Sequence, residues 1–145
     1  MKAYLSLGSN LGDREANLRR AIDMLPGHPR VSGIYDTEPA EMLDQPWFKN
    51  CAVELEADDP RGLLDITQDI EKKLGRVRTI PKGPRVIDID IVLFDDLVID
   101  SPGLTIPHPR MTGRRFVLEP LAEIAPAVRH PVTGLTIGEM LRGLP

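Results

Sequence analysis

The sequence contains one cysteine, Cys51, in 145 residues. A disulfide framework within the chain and a cysteine-cluster zinc site are therefore excluded, and the single thiol fits a reducing cytoplasm. Aromatic residues make up only 4% of the chain, so the position of each one carries information. There is no basic surplus: 18 Lys and Arg stand against 22 Asp and Glu, a net charge of -4, which argues against a general polyanion binder. No apolar run approaches membrane-spanning length, and the MKAYLSLGSN start has no charged n-region followed by a long apolar stretch. The expectation is a soluble, unprocessed, cytoplasmic monomer. What remains is 41% apolar residues without internal repeats, enough for one core, so residues 1–145 are read as a single domain.

Ala3 to Leu7 read as an apolar strand, and Gly8 to Gly12 as a tight turn whose glycines can take positive φ. Asp13 is placed to cap a helix bearing Leu18, Ala21, Ile22 and Leu25, which Pro26 and Gly27 end. Val31 to Thr37 form a second strand and Phe48 to Ala57 a third, with Cys51, Val53 and Leu55 on one face and a polar loop between the strands. Asp59 and Pro60 begin a second helix with Leu63, Ile66, Thr67, Ile70 and Leu74 in one stripe and Gly75 just past its end. Arg76 to Arg85 have neither period and read as a surface loop. Val86 to Phe94, VIDIDIVLF, form the clearest strand. This β-α-β-β-α-β order is that of a ferredoxin-like α+β sandwich, an antiparallel sheet with helices on one face. The tail adds short strands near Val98 and Leu104 and helical turns at Val117 to Ile124 and Ile137 to Leu141.

In VIDIDIVLF the side chains alternate, so Asp88 and Asp90 share a face, roughly 6.5 to 7 Å apart along the strand. Two like charges among Val86, Val92 and Phe94 are costly unless a positive group lies between or above them. A divalent metal fits, because Mg2+ takes one or two carboxylates plus water and phosphate oxygens. An exposed strand end, or bonds to nearby arginines, is the plainer explanation. Of the 18 basic residues, seven lie in two short segments, Arg76, Arg78, Lys82 and Arg85 before this strand and Arg110, Arg114 and Arg115 after it, with His108 among the latter. Guanidinium groups bind phosphate bidentately, so carboxylates with arginines describe a nucleoside-triphosphate site. For Arg110 and Arg115 a solvated surface charge is the competing, lesser reading. GSNLGD lacks the Gly-Lys-Ser/Thr ending of a phosphate loop and reads as a structural turn. His28 and His130 adjoin prolines and read as surface residues. Phe48 and Phe116, with Trp47 beside the former, either stack a flat heterocycle or belong to the core.

The chain is similar to the 6-hydroxymethyl-7,8-dihydropterin pyrophosphokinase family along nearly its whole length, through YLSLGSNLGDREANL, YDTEP, DQPWFKN, GRVR, GPRVIDIDIVLF and LTIPHPRMTGRRFVLEPLAEIAP. The resemblance implies a ferredoxin-like fold and two Mg2+ ions with ATP as co-substrate. It also implies transfer of the β,γ-pyrophosphoryl group to the hydroxymethyl oxygen of the pterin, with release of AMP. Matched by position, Asp88 and Asp90 are the implied metal ligands, and Arg76, Arg85, Asp88 and Asp90 the catalytic set. Gln68, Glu71, Arg76, Arg78, Arg85, Ile91, Thr105, His108 and Arg114 are implied to line ATP. Thr37, Phe48, Asn50, Asp90 and Phe116 are implied to hold the pterin, the two phenylalanines sandwiching its ring. Lys82 stands where the family often has a large aromatic residue, and is expected to supply a charge to ATP. An RNA-binding ferredoxin-like module would need aromatics on central strands and a basic balance. A metal-dependent phosphohydrolase would use the same acidic pair to activate water.

Overall fold

Strand β1 (Lys2–Ser9) is buried over all but its first residue, which requires cover on both of its faces and partners on both of its edges. A computed structural model describes residues 1–39, 43–75 and 84–145. Both edges of β1 are paired antiparallel, one with β4 (Phe48–Glu56) and the other with β5 (Asp88–Phe94). The sheet is completed outside β4 by β2 (Arg30–Val31) and β3 (Tyr35–Thr37), giving the order β2-β4-β1-β5 with β3 also on β4. This is the α+β ferredoxin-like arrangement expected from the order of elements.

Helices α1 (Arg14–Met24) and α2 (Pro60–Lys73) cover one face. Both start as the sequence requires. The Asp13 carboxylate accepts from the Ala16 N–H, and the Asp59 carboxylate from Arg61 and Gly62, with Pro60 at the first helical position where a missing N–H costs nothing. Gly75, at φ +85, ends α2. Ala3, Leu5, Leu7, Cys51, Val53, Leu55, Ile89 and Ile91 from the sheet meet Leu18, Ala21, Leu63 and Ile70 from these helices. Burial pushes the Cys51 thiol up to about 12, so it behaves as a small apolar side chain.

The opposite face is not left open, as the expectation of helices on one face would have it. A second core joins Tyr4, Ala52, Val92 and Leu93 to Val117, Leu118 and Leu121 of α3 (Arg115–Ile124) and to Ile137 and Met140 of α4 (Ile137–Arg142). The reason lies in β1 itself, which presents apolar Tyr4 on the side opposite Leu5. Hairpin β6 (Ile99–Ser101) and β7 (Leu104–Ile106) extends the first core through Leu104 and Ile106. Arg61 of α2 ties down that hairpin through the Pro102 carbonyl and the Ser101 hydroxyl.

Three local departures from the sequence reading have clear causes. The second strand is broken: three residues, 32–34, stand opposite two of β4, because Arg30–Val31 pairs with Glu54–Val53 and Tyr35 with Asn50. The Ser32 hydroxyl there accepts the Ala52 N–H, doing a ladder partner's work. The last main strand begins at Asp88 rather than Val86, since the Arg85 N–H is taken by the Asn10 side chain. His130 is buried, not on the surface, and its Nδ1 accepts from the N–H groups of Val132 and Thr133. His28 is exposed as expected.

Candidate active site

The carboxylates Asp88 and Asp90 lie on the face of β5 opposite Ile89 and Ile91, which point into the α1/α2 core. They therefore share the side of the sheet that carries α3. A register shift between β1 and β5 follows, so Val92 and Leu93 both join the second core while Phe94 enters the first. Cross-strand pairing sets the floor. Gly8 stands between Asn50 on β4 and Asp88 on β5, and Ser6 between Ala52 and Asp90. Asn50 and Asp88 are thus two strand spacings apart, about 9 to 10 Å.

Gly8 lies inside β1, and its φ is not positive, contrary to the turn reading. Its lack of a side chain matters for space: a Cβ there would stand 2.5 Å from the Asn50 Oδ1 and 3.4 Å from the Phe48 ring. The Asn50 amide donates from Nδ2 to the Thr37 hydroxyl, so its carbonyl oxygen is the end directed over the glycine. The turn proper is braced by Asn17, whose Nδ2 donates to the Ser9 hydroxyl and the Leu11 carbonyl.

Arg85 joins the two sides of the floor. Its Nη1 lies 3.1 Å from Asp88 Oδ2, and its guanidinium sits 5.7 Å from the centre of the Phe48 ring. A second pair of the same kind stands at the start of α3, with the Arg114 guanidinium 5.3 Å from the Phe116 ring. Each half-buried phenylalanine thus carries an arginine, so cationic and flat apolar surfaces meet within one site. His108 is fixed by its N–H to the Val92 carbonyl, and its Nδ1 accepts from Arg110 N, which leaves Nε2 to carry the proton. Burial first, then the positive charges of Arg114 and Arg110, hold its pKa below the usual histidine value; Asp88 works in the opposite sense. A neutral ring with an outward N–H donor suits an anionic oxygen.

Thr37, Phe48, Asn50, Arg85, Asp88, Asp90, His108, Arg114 and Phe116 are all elements of this face or its rim. Gln68 and Glu71 of α2 and Ile91 of β5 belong to the other side of β5, and Thr105 is exposed on the hairpin strand that extends that side. Glu71 is buried, and its Oε2 accepts the Ile89 N–H at 2.9 Å, anchoring the outer edge of the strand that bears the acids. Arg76, Arg78 and Lys82 lie outside the described residues. Arg115 forms an exposed pair with Glu119 in the next helical turn, a surface charge worth little.

Two residues outside the sequence-based site also shape it. Asn10 is 2% exposed and hydrogen-bonded to Gln45, Pro46 and Arg85. Arg14 donates to the Trp47 carbonyl at 2.9 Å. Their only signal in the sequence was a polar residue in a turn and a charge at a helix start, neither of which distinguishes them from ordinary surface positions.

Two carboxylates on one strand face are a sufficient donor set for a hard cation that keeps waters and phosphate oxygens. Among the described residues no group of three or more His, Cys, Asp or Glu side chains is arranged to hold a metal, so such a cation would rely on the substrate for its other ligands. No helix of the described residues is long and apolar enough to cross a membrane.

Comparison with known proteins matches this geometry. The profile of the family 7,8-dihydro-6-hydroxymethylpterin-pyrophosphokinase (HPPK) matches residues 4–126. The chain is 47% identical over 137 residues to 2-amino-4-hydroxy-6-hydroxymethyldihydropteridine pyrophosphokinase of Bacillus subtilis, covering 90% of this chain and 82% of that one. It is 45% identical to the Folic acid synthesis protein fol1 of Schizosaccharomyces pombe, covering 99% of this chain but 20% of that much longer protein. In structure it is similar to Plasmodium falciparum HPPK-DHPS, with a TM-score of 0.73 at 17% identity over 97% of this chain and 44% of that one; at that identity the likeness speaks for the fold alone.

Proposed function

Because this chain belongs to the 7,8-dihydro-6-hydroxymethylpterin-pyrophosphokinase family, whose reaction is pyrophosphate transfer to hydroxymethyldihydropterin in folate biosynthesis, we propose that ATP is the donor and Asp88 and Asp90 hold the magnesium that accompanies it. The observation that carries this reading is Arg85, which touches an acidic metal-type ligand on one side and an aromatic ring on the other. It marks the line where a phosphate chain and a flat acceptor would meet.

In this reading the pterin ring lies between Phe48 and Phe116 over the bare backbone of Gly8. Asn50, oriented by Thr37, reads the polar edge of the ring through its carbonyl oxygen. The hydroxymethyl oxygen then faces Asp90, which approaches the acceptor hydroxyl. That oxygen forms a bond to the β-phosphorus, the bond from this phosphorus to the α,β-bridging oxygen breaks, and AMP leaves with the bridging oxygen. The hydroxyl proton passes to water or to Asp90. When bound, Mg2+ supplies charge neutralisation on the phosphate oxygens. Arg85 and Arg114, with Arg76 and Arg78, grip the phosphates, and the neutral His108 donates from Nε2. The base and ribose extend over the edge of β5 toward Ile91, Gln68, Glu71 and Thr105. Catalysis is then mostly positioning and preorganised charge, as expected for phosphoryl transfer. The reading takes the enzyme as a cytoplasmic monomer.

The test uses purified protein with Mg2+, ATP and 6-hydroxymethyl-7,8-dihydropterin, with nucleotides resolved by chromatography. AMP formed only when the pterin is present is the expected result. ADP as the product, or phosphate released without acceptor, would overturn the reading in favour of simple kinase or hydrolase chemistry.

A further inference from the structure

One buried carboxamide ties the two halves of the site together. Asn10 follows β1 directly, and its side chain is saturated by the two chain segments that flank the cleft. Its Oδ1 accepts the Arg85 N–H at 2.8 Å, and its backbone N–H donates to the Arg85 carbonyl at 3.1 Å. Its Nδ2 donates to Gln45 Oε1 and to the Pro46 carbonyl, each at 2.9 Å. Among side chains of this size, only a carboxamide offers both an acceptor and two donors.

The segments so joined carry opposite tasks. Gln45 and Pro46 lead through Trp47 into Phe48 on the acceptor side, whereas Arg85 faces Asp88 on the phosphate side. Arg14 takes the Trp47 carbonyl and the Arg85 guanidinium lies over the Phe48 ring; Asn10 adds a link between the same two segments through their backbones and Gln45. Asn10 itself lies beneath both segments, in the turn after the strand whose Gly8 forms the floor.

We propose that Asn10 is a positioning residue for both substrates: it sets the Arg85 backbone against the acidic pair and the 45–47 segment against the acceptor ring. The assignment of its two partners to phosphate and acceptor sides rests on the proposed function. Losing Oδ1 and Nδ2 together should loosen both sides, while losing only Nδ2 should loosen one.

Three variants separate these effects in steady-state kinetics, each checked for folding by thermal melting. Asn10→Ala should raise KM for ATP and for the pterin, each about tenfold, by leaving buried partners unpaired. Asn10→Asp keeps an acceptor for the Arg85 N–H but sets a carboxylate oxygen against the Pro46 carbonyl, so KM for the pterin should rise while KM for ATP stays within about twofold. Gln45→Ala should act as a weaker version of Asn10→Asp. In parallel, acrylamide quenching of Trp47, the only tryptophan, should increase in all three. A lowered melting temperature with both KM values unchanged would make Asn10 merely structural and overturn the proposal, as would Asn10→Asp weakening ATP and pterin equally. Should Asn10→Ala not fold, the other two variants decide. If the wild type forms no AMP, the functional reading falls by itself. Amide exchange still judges the positioning claim: faster exchange at Arg85 in Asn10→Ala and not in Asn10→Asp upholds it, and unchanged exchange sinks it.

Discussion

At the scale of single residues, the acidic pair and the glycine floor make separable demands. Replacing Asp88 or Asp90 by alanine should lower magnesium-dependent kcat by at least about 10²-fold, on the scale of lost transition-state electrostatics, while leaving the melting temperature near that of the wild type, because both side chains lie at the cleft and not in a core. Near-normal turnover in both variants would remove the metal assignment. Arg85→Ala should depress kcat more than it raises KM for ATP if its contact strengthens as AMP departs; the opposite pattern makes it a binding residue. Gly8→Ala asks a different question. Its methyl group must displace the Asn50 carbonyl end, 2.5 Å away, and overpacking of this kind costs about 1 to 3 kcal/mol. The expected outcome is a rise of roughly tenfold in KM for the pterin with KM for ATP little changed, read from initial rates at saturating co-substrate.

At the scale of elements, β5 is held on its outer edge by a helix rather than by another strand. Glu71 accepts the Ile89 N–H that would otherwise be unpaired, and leaving such a buried donor unsatisfied costs about 1 to 3 kcal/mol. Glu71→Ala should therefore lower the melting temperature by about 3 to 10 °C, whereas Glu71→Gln, which keeps an acceptor, should recover most of the loss. If the two variants melt alike, the hydrogen bond is not what anchors the strand. The elements themselves were largely legible in the sequence, because caps and periodicity are local. Asp13, Asp59, Pro60 and Gly75 mark both main helices, and the alternation in FKNCAVELEA and in VIDIDI gives the face each side chain takes, up to the shift at Val92. What sequence could not give was set by partners far along the chain. The break at residues 32–34 depends on a serine hydroxyl bonding to Ala52, the late start of β5 depends on Asn10, and the burial of His130 depends on two N–H groups in the turn that follows it. The shared face of Asp88 and Asp90 could be read from the period of two, whereas spacing alone did not separate Phe48 and Phe116 from core residues. Asn10 could not be read, since nothing in GSNLGD shows that its amide reaches residues 45, 46 and 85.

At the scale of the whole molecule, titration of buried histidines gives the folded state an acid-side weakness. Burial holds both His108 and His130 below the ordinary histidine pKa, and the neighbouring Arg114 and Arg110 add to this for His108. Above about pH 6.5 the folded and unfolded chains carry neutral rings alike, so the shifts cost nothing. As pH falls through 6.5, the unfolded chain takes up protons that the folded chain resists, and stability drops. Denaturant midpoints should therefore decline between pH 7.5 and pH 5.5, and less steeply with ATP added if the proposed phosphate contact of His108 holds. A midpoint constant over that interval would contradict the burial of His130 and the partial burial of His108. On the alkaline side, Tyr35 donates to Glu123 and is raised to about 12, so its contribution is intact below pH 10 and fades as pH climbs through 12.

The register shift in β5 divides that strand into two independently phased halves. Upstream, alternation places Asp88 and Asp90 outward with Ile89 and Ile91 inward; past the shift, Val92 and Leu93 face one core together and Phe94 drops into the other. The acidic half is thus insulated from its root: removing Val92, the extra residue between Ile91 and Leu93, would leave Leu93 opposite Tyr4, Phe94 in the first core and the acids opposite Gly8 and Ser6, at the cost of the packing Val92 gives the second core. Sequence drift in the anchoring half can proceed without steering the carboxylates away from their work.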